Sequence, residues 1–190
     1  MPPRGVSPLS PLRWGRAMWW VLHVLAALVL DDAMEAVDGG ACDAAAMCRE
    51  FAKLLAALPV LLPCSTCRDN LAEHMRGALQ LPAMRGGAVR QARALQRWVH
   101  DVHNAVNAST GRAPVPAHVG MDAVVAAHLA RGERGVAVRL LAASLAAVDS
   151  CVFESVRERL AEPAQRHEVE RAWVLYRRVI AALYRGLRCG

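Results

Sequence analysis

The chain has 190 residues, 55% apolar and 21% charged, with a net charge of +6. It is long enough to bury its own core, and the composition excludes a disordered chain and a disulfide-dense mini-scaffold. Aromatic residues are only 5%, while Ala and Leu recur throughout, so an all-α fold is expected.

Arginine carries almost all the positive charge, Lys53 being the only lysine. The arginines are scattered among glutamates rather than gathered into a stripe, and no nucleic-acid partner is expected. Mean hydropathy is +0.20, yet no apolar run reaches the roughly 18 residues needed to cross a bilayer, so no membrane span is expected.

Residues 1–16, with three arginines, four prolines and no acid, read as a flexible basic lead-in. The apolar run 17–30 follows, interrupted only by His23. A basic start before an apolar run is also how a signal peptide begins. Two tryptophans and His23 break that pattern and no Ala-x-Ala site follows at once, so a buried first helix is expected. The acidic stretch 31–50, broken by Gly39 and Gly40, reads as a solvated loop or short helix. A second helix spans 51–62, kinked or ended by Pro59 and Pro63. A third starts at the Cys64 pair and runs through Leu71 and Met75, before a loop punctuated by Gly77, Pro82, Gly86 and Gly87.

The stretch 88–107 is strongly periodic, with Leu95, Val99, Val102 and Val106 on one face; Gly111, Pro114 and Pro116 end it. Three more helices are expected at 121–131, 136–161 and 164–188, separated by Gly132, Gly135 and Pro163. The last carries an apolar face of Val169, Trp173, Tyr176, Ile180, Leu183, Tyr184 and Leu187.

Two features carry chemistry. On the 88–107 helix, His100, His103, Asn104 and Asn107 share one face. Where solvent would favour Glu, Lys or Arg, these neutral groups suit a hydrogen-bonding planar ligand such as a flavin or an adenine. The second feature is Pro63-Cys64-Ser65-Thr66-Cys67-Arg68. A helix starting there places both sulfurs in its first turn, where the positive helix end lowers a thiol pKa, with Arg68 adding to it. A C-x-x-C pair also serves zinc, and His100 and His103 could complete such a site, but their distance in sequence departs from zinc-finger spacing. Redox chemistry is preferred, with no metal expected.

Three motifs now form a pattern. Gly15-Arg16-Ala17-Met18-Trp19-Trp20-Val21-Leu22-His23 resembles the G-R-x-x-W-x-x-L-H opening of the Erv/ALR family of FAD-linked sulfhydryl oxidases. Pro63-Cys64-Ser65-Thr66-Cys67-Arg68 resembles its P-C-x-x-C turn. The run from Trp98 to Asn107 is similar to its W-x-x-x-x-H-N-x-V-N helix, and Thr110-Gly111-Arg112-Ala113-Pro114 stands where the family has L-G-K-P. The resemblance covers residues 14 to about 116. It implies a four-helix-bundle, flavin-binding core at 14–118, after a flexible basic N-terminus at 1–13 and before a C-terminal helical extension at 119–190.

By the resemblance, Cys64 and Cys67 are the catalytic disulfide, Cys64 outer and Cys67 facing FAD. Gly15, Arg16, Trp19, His23, His103, Asn104, Asn107 and Arg112 bind the cofactor, with Arg16 and Arg112 on its phosphates. Partners would be thiol-containing proteins and molecular oxygen, with hydrogen peroxide as product and a homodimer paired through first helices. The family's cysteine at the position of His100, and its disulfide partner, are absent here, as is the Tyr-Pro after the first helix.

Cys42 and Cys48 are candidate shuttle cysteines, with Cys189 and Cys151 as alternatives, although Cys151 reads as a buried apolar residue. Compact oxidases with added helices resemble those of large DNA viruses, which implies an intracellular setting in host cytoplasm or virion. The mitochondrial intermembrane space and the secretory pathway stay open.

Overall fold

A computed structural model describes residues 9–37, 43–116 and 121–186. Among them run seven α-helices and no strand: α1 (Pro11–Val37), α2 (Ala44–Leu61), α3 (Ser65–Arg76), α4 (Ala88–Ser109), α5 (Met121–Ala130), α6 (Arg134–Leu160) and α7 (Pro163–Gly186). The fold is all-helical, as the composition predicts.

The signal-like run is the central helix. Every residue from Val21 to Val29 is buried, and α1 packs against α2, α4, α5 and α6. A helix apolar all round needs protein on every side, and this one has it. Helix α1 begins earlier than the apolar run. Pro11 takes a first-turn position where its missing N–H costs nothing, and Ser10 Oγ accepts from the Leu12 N–H. Trp14 is buried and donates from Nε1 to the Leu9 carbonyl at 3.0 Å. Residues 11–16 are therefore helical rather than a flexible lead-in.

The acidic stretch also departs from expectation. Helix α1 continues through Asp31 and Asp32 because Arg134, opening α6, ion-pairs with both. Asp32 is 3% exposed, and burial holds its carboxyl above the usual carboxylate range even against the Arg134 charge. Residues 38–42, including Gly39, Gly40 and Cys42, lie outside the described residues. Helix α2 then starts early, capped by Asp43, whose Oδ1 accepts from the Ala46 N–H at 2.8 Å. Pro59 sits inside its last turn, and the helix ends at Leu61.

Helix α6 packs against α1, and α7 against α2 and α6. One continuous apolar cluster joins Leu25, Leu28 and Phe51 to Leu141, Val152, Val169 and Val179. The expected core at 14–118 and the extension after it thus share one apolar core. Helices α1 and α6 each contain an 18-residue window long and apolar enough to cross a membrane, with 67% and 33% of the window buried. On α1 that apolar surface is used in packing. On α6 much of the exposed part is alanine, at 142, 143, 146 and 147.

Candidate active site

The site is organised by the turn between α2 and α3. Cys64 is the N-cap of α3 in extended conformation, and its Sγ accepts from the Cys67 N–H at 3.2 Å. The two cysteines form a disulfide with their Cα atoms 5.2 Å apart. Both sulfurs therefore sit in the first turn of a helix, where unpaired N–H groups and the macrodipole favour negative charge. Arg68 does not turn toward the sulfurs as expected. Its Nη1 donates to the carbonyls of Leu62 at 2.8 Å and Pro63 at 3.2 Å, and burial lowers its pKa.

Against this turn lies a cavity of about 370 Å³, within the range of small-molecule sites. Cys67 is on its wall and Cys64 is not. Helix α1 contributes Gly15, Arg16, Met18, Trp19 and Leu22; α4 contributes Val102, His103, Val106 and Ser109; Arg112 closes one edge. Trp19 and His103 stack with centroids 4.0 Å apart and planes within 8°, a flat aromatic ledge. Arg16 and Arg112 are exposed and meet no acid among the described residues. Apolar walls, an aromatic ledge and two available guanidiniums suit a planar ligand carrying anionic groups. A larger, shallower groove of about 930 Å³ beside Arg90, Arg93 and Arg97 contains neither Cys64 nor Cys67.

The His/Asn stripe of α4 divides. His103 lines the cavity, and one of its ring nitrogens shares a 2.9 Å hydrogen bond with His23, one ring donating and the other accepting. His23 itself is buried behind that wall. Asn104, expected to touch a ligand, instead clasps Val115, accepting from its N–H at 2.8 Å and donating to its carbonyl at 3.1 Å. Asn107 donates to the Ala113 carbonyl, and His100 Nε2 lies 2.8 Å from the Val115 carbonyl oxygen. Spacing alone puts these residues on one face, but cannot tell that the chain returns along it.

The return is set by a glycine. Gly111 has φ of +69°, which a side chain tolerates poorly. Its N–H donates to Ala108 and that of Arg112 to Asn107, at 3.2 and 2.8 Å, the bond pair of a Schellman motif. That motif places Arg112 at the cavity edge. Residues missed from sequence include Met18, Leu22 and Val106. Each lies three or four positions from a recognised wall residue, so helical periodicity was the available signal.

Cys48, a shuttle candidate, is 0% exposed, donates from Sγ to the Ala88 carbonyl, and burial pushes its thiol up to about 11. That environment gives it neither access nor a ready thiolate. Cys42 and Cys189 lie outside the described residues. Cys151 is buried, as its neighbours predict.

Comparison with known proteins agrees with the motifs. The family model described as Erv1 / Alr family matches residues 16–121. A curated relative, "FAD-linked sulfhydryl oxidase ERV1" of Oryza sativa subsp. japonica, is 29% identical over 110 residues, covering 58% of this chain and 48% of the relative. The chain thus spans about half the length of the curated relative it matches. No solved structure matches. With more than half of the sequence matched, and the cysteine turn and most of the cavity wall inside that segment, the chain belongs to the Erv1 / Alr family.

Proposed function

We propose that this chain is an FAD-dependent thiol oxidase that forms disulfides in dithiol substrates through Cys64 and Cys67. The observation that carries the reading is the seat of this disulfide: the first turn of α3, with Cys67 on the cavity wall and Cys64 off it. The residues fit FAD. The Trp19–His103 ledge suits a flat ring, and Arg16 and Arg112, unpaired among the described residues, suit its phosphates. When bound there, FAD supplies the two-electron acceptor for the Cys64–Cys67 dithiol and the means to reduce molecular oxygen to hydrogen peroxide.

The chain's own part is thiol–disulfide exchange. A substrate thiolate attacks Cys64 Sγ, the Cys64–Cys67 bond breaks, and Cys67 leaves as a thiolate held by the positive end of α3. The substrate's second thiolate then attacks its own sulfur in the mixed disulfide, and Cys64 leaves. The substrate has lost two electrons and two protons, and the cysteine pair has gained the electrons.

His23 orients His103 in this reading. Asn104 and Asn107 act indirectly, by holding residues 113–115 and so the neighbouring Arg112. We assign the activity to a single chain, because pairing through α1 would displace α6 from it. Sedimentation at micromolar concentration should give one chain's mass.

The purified protein should be yellow and consume oxygen with dithiothreitol. Cys64→Ala and Cys67→Ser should each lower that turnover about a thousandfold or more. A colourless protein containing zinc, or full turnover in both variants, would overturn the reading.

A further inference from the structure

The carbonyl end of α2 runs directly into the cysteine turn, and the last oxygens of a helix have no partners within it. Pro63 adds to the shortage because it brings no N–H. Side chains fill the gap, and two of them come from far along the chain. Ser155 Oγ, on α6, donates to the Pro63 carbonyl at 3.3 Å. Arg159, one turn further along α6, donates from Nη1 to the Val60 carbonyl. Arg68 supplies the remaining bonds, to Leu62 and Pro63.

Ser155 is 1% exposed. A buried hydroxyl costs free energy unless bonded, and the acceptor it meets belongs to the residue just before Cys64. Arg159 lies close enough to Arg68 for the two charges to repel, and both are partly withdrawn from water. Both charges are held at the carbonyl end of α2, where their hydrogen bonds fix the backbone that leads into the cysteine turn. The other charged groups acting on these two arginines are Asp69, Glu162 and Glu168.

We propose that Ser155 and Arg159 are positioning residues for the Cys64–Cys67 pair. By holding the end of α2 they keep Cys64 at the α3 N-cap, with its sulfur against the Cys67 N–H. The proposal rests on the oxidase reading for naming this pair as reactive. In the reduced pair that N–H would donate to a charged sulfur, a stronger bond than to a neutral one. A turn free to drift would lose this preference for the thiolate, and the Cys64 thiol would ionise at higher pH. The C-terminal helices, which lie beyond the segment matched to the family, thereby gain a task at the site.

The test uses the full chain, reduced with a phosphine and trapped with iodoacetamide across a pH series, with Cys64 alkylation followed by mass spectrometry. In Ser155→Ala combined with Arg159→Met, the midpoint should move to higher pH and trapping at neutral pH should slow by about fivefold, the worth of one ordinary hydrogen bond. An unchanged midpoint in the folded double variant would overturn the proposal. Should that variant fail to fold, Ser155→Ala alone decides in the same way, since Arg68 still meets the Pro63 oxygen. Oxygen uptake by the parent chain separates the two readings. An inert parent with a shifted midpoint in the variants removes the oxidase and keeps the positioning; an active parent with no shift removes the positioning alone.

Discussion

Helices α1 to α4 and helices α5 to α7 solve different problems with the same core. The first group holds the buried axis, Val21 to Val29, which α5 and α6 help to cover, and sets a cavity and a disulfide at its edge. The second group has one buried face and one open face. Phe153 is 49% and Val174 60% exposed, whereas Phe51 is 0% exposed. Yet the second group sends polar side chains into the first at both ends of α6: Arg134 to Asp31 and Asp32, and Ser155 and Arg159 to the end of α2. The difference teaches that a motif-free segment can be part of a site's support while contributing nothing to its wall.

Truncating the core is the largest test of that division. Phe51→Ala should cost about 4 kcal/mol in a denaturant titration, and Phe153→Ala less than about 1, since half of its ring already faces water. Equal costs would break the contrast between the two groups. Arg134→Ala should cost about 3 kcal/mol, because it strands the buried Asp32 carboxylate. If α5 to α7 formed an independent unit, this loss would appear as a separate early transition; a single shifted transition supports the shared core.

The Arg134→Ala deficit should depend on pH. Asp32 binds its proton more tightly folded than unfolded even beside Arg134, and more tightly still without it. Stability in the variant should therefore fall as pH rises from the ordinary carboxylate range through the raised folded value, and recover on acidification. A deficit independent of pH would point to lost packing instead.

Gly111→Ala should cost about 1 kcal/mol, because its backbone stays in the left-handed region whatever the space around it. It should also loosen Arg112, read as weaker flavin retention on dilution. The smallest effect concerns Cys48. With its thiol pushed up to about 11, it should resist iodoacetamide at pH 8 in the native chain while reduced Cys64 reacts, and Cys48→Ala should leave turnover on protein dithiols unchanged. Rapid native labelling of Cys48 would restore it as a shuttle candidate.

Much of this was legible in the sequence because the information is local. Helix α3 begins where Cys64 predicts, and the periodic face of α4 is buried through Leu95, Val99 and Val102. What escaped depends on distant partners. Asp31 and Asp32 read as solvated until Arg134 is brought beside them, and Asn104 reads as a ligand group until Val115 folds back onto it. Ser155 and Arg159 carry no signal at all, since a serine and an arginine on a long helix are ordinary surface residues until the far end of α2 arrives.

The span of these last bonds has a consequence for biosynthesis. Pro63 and Ser155 are 92 residues apart, Val60 and Arg159 99. A chain emerging from the ribosome exposes its cysteine turn long before the donors that hold it exist, and long-range contacts of this kind form late in folding. The pair would reach its final reactivity only after Ser155 and Arg159 have been made and have packed onto the end of α2, so a nascent molecule carries both cysteines before the bonds that hold their turn.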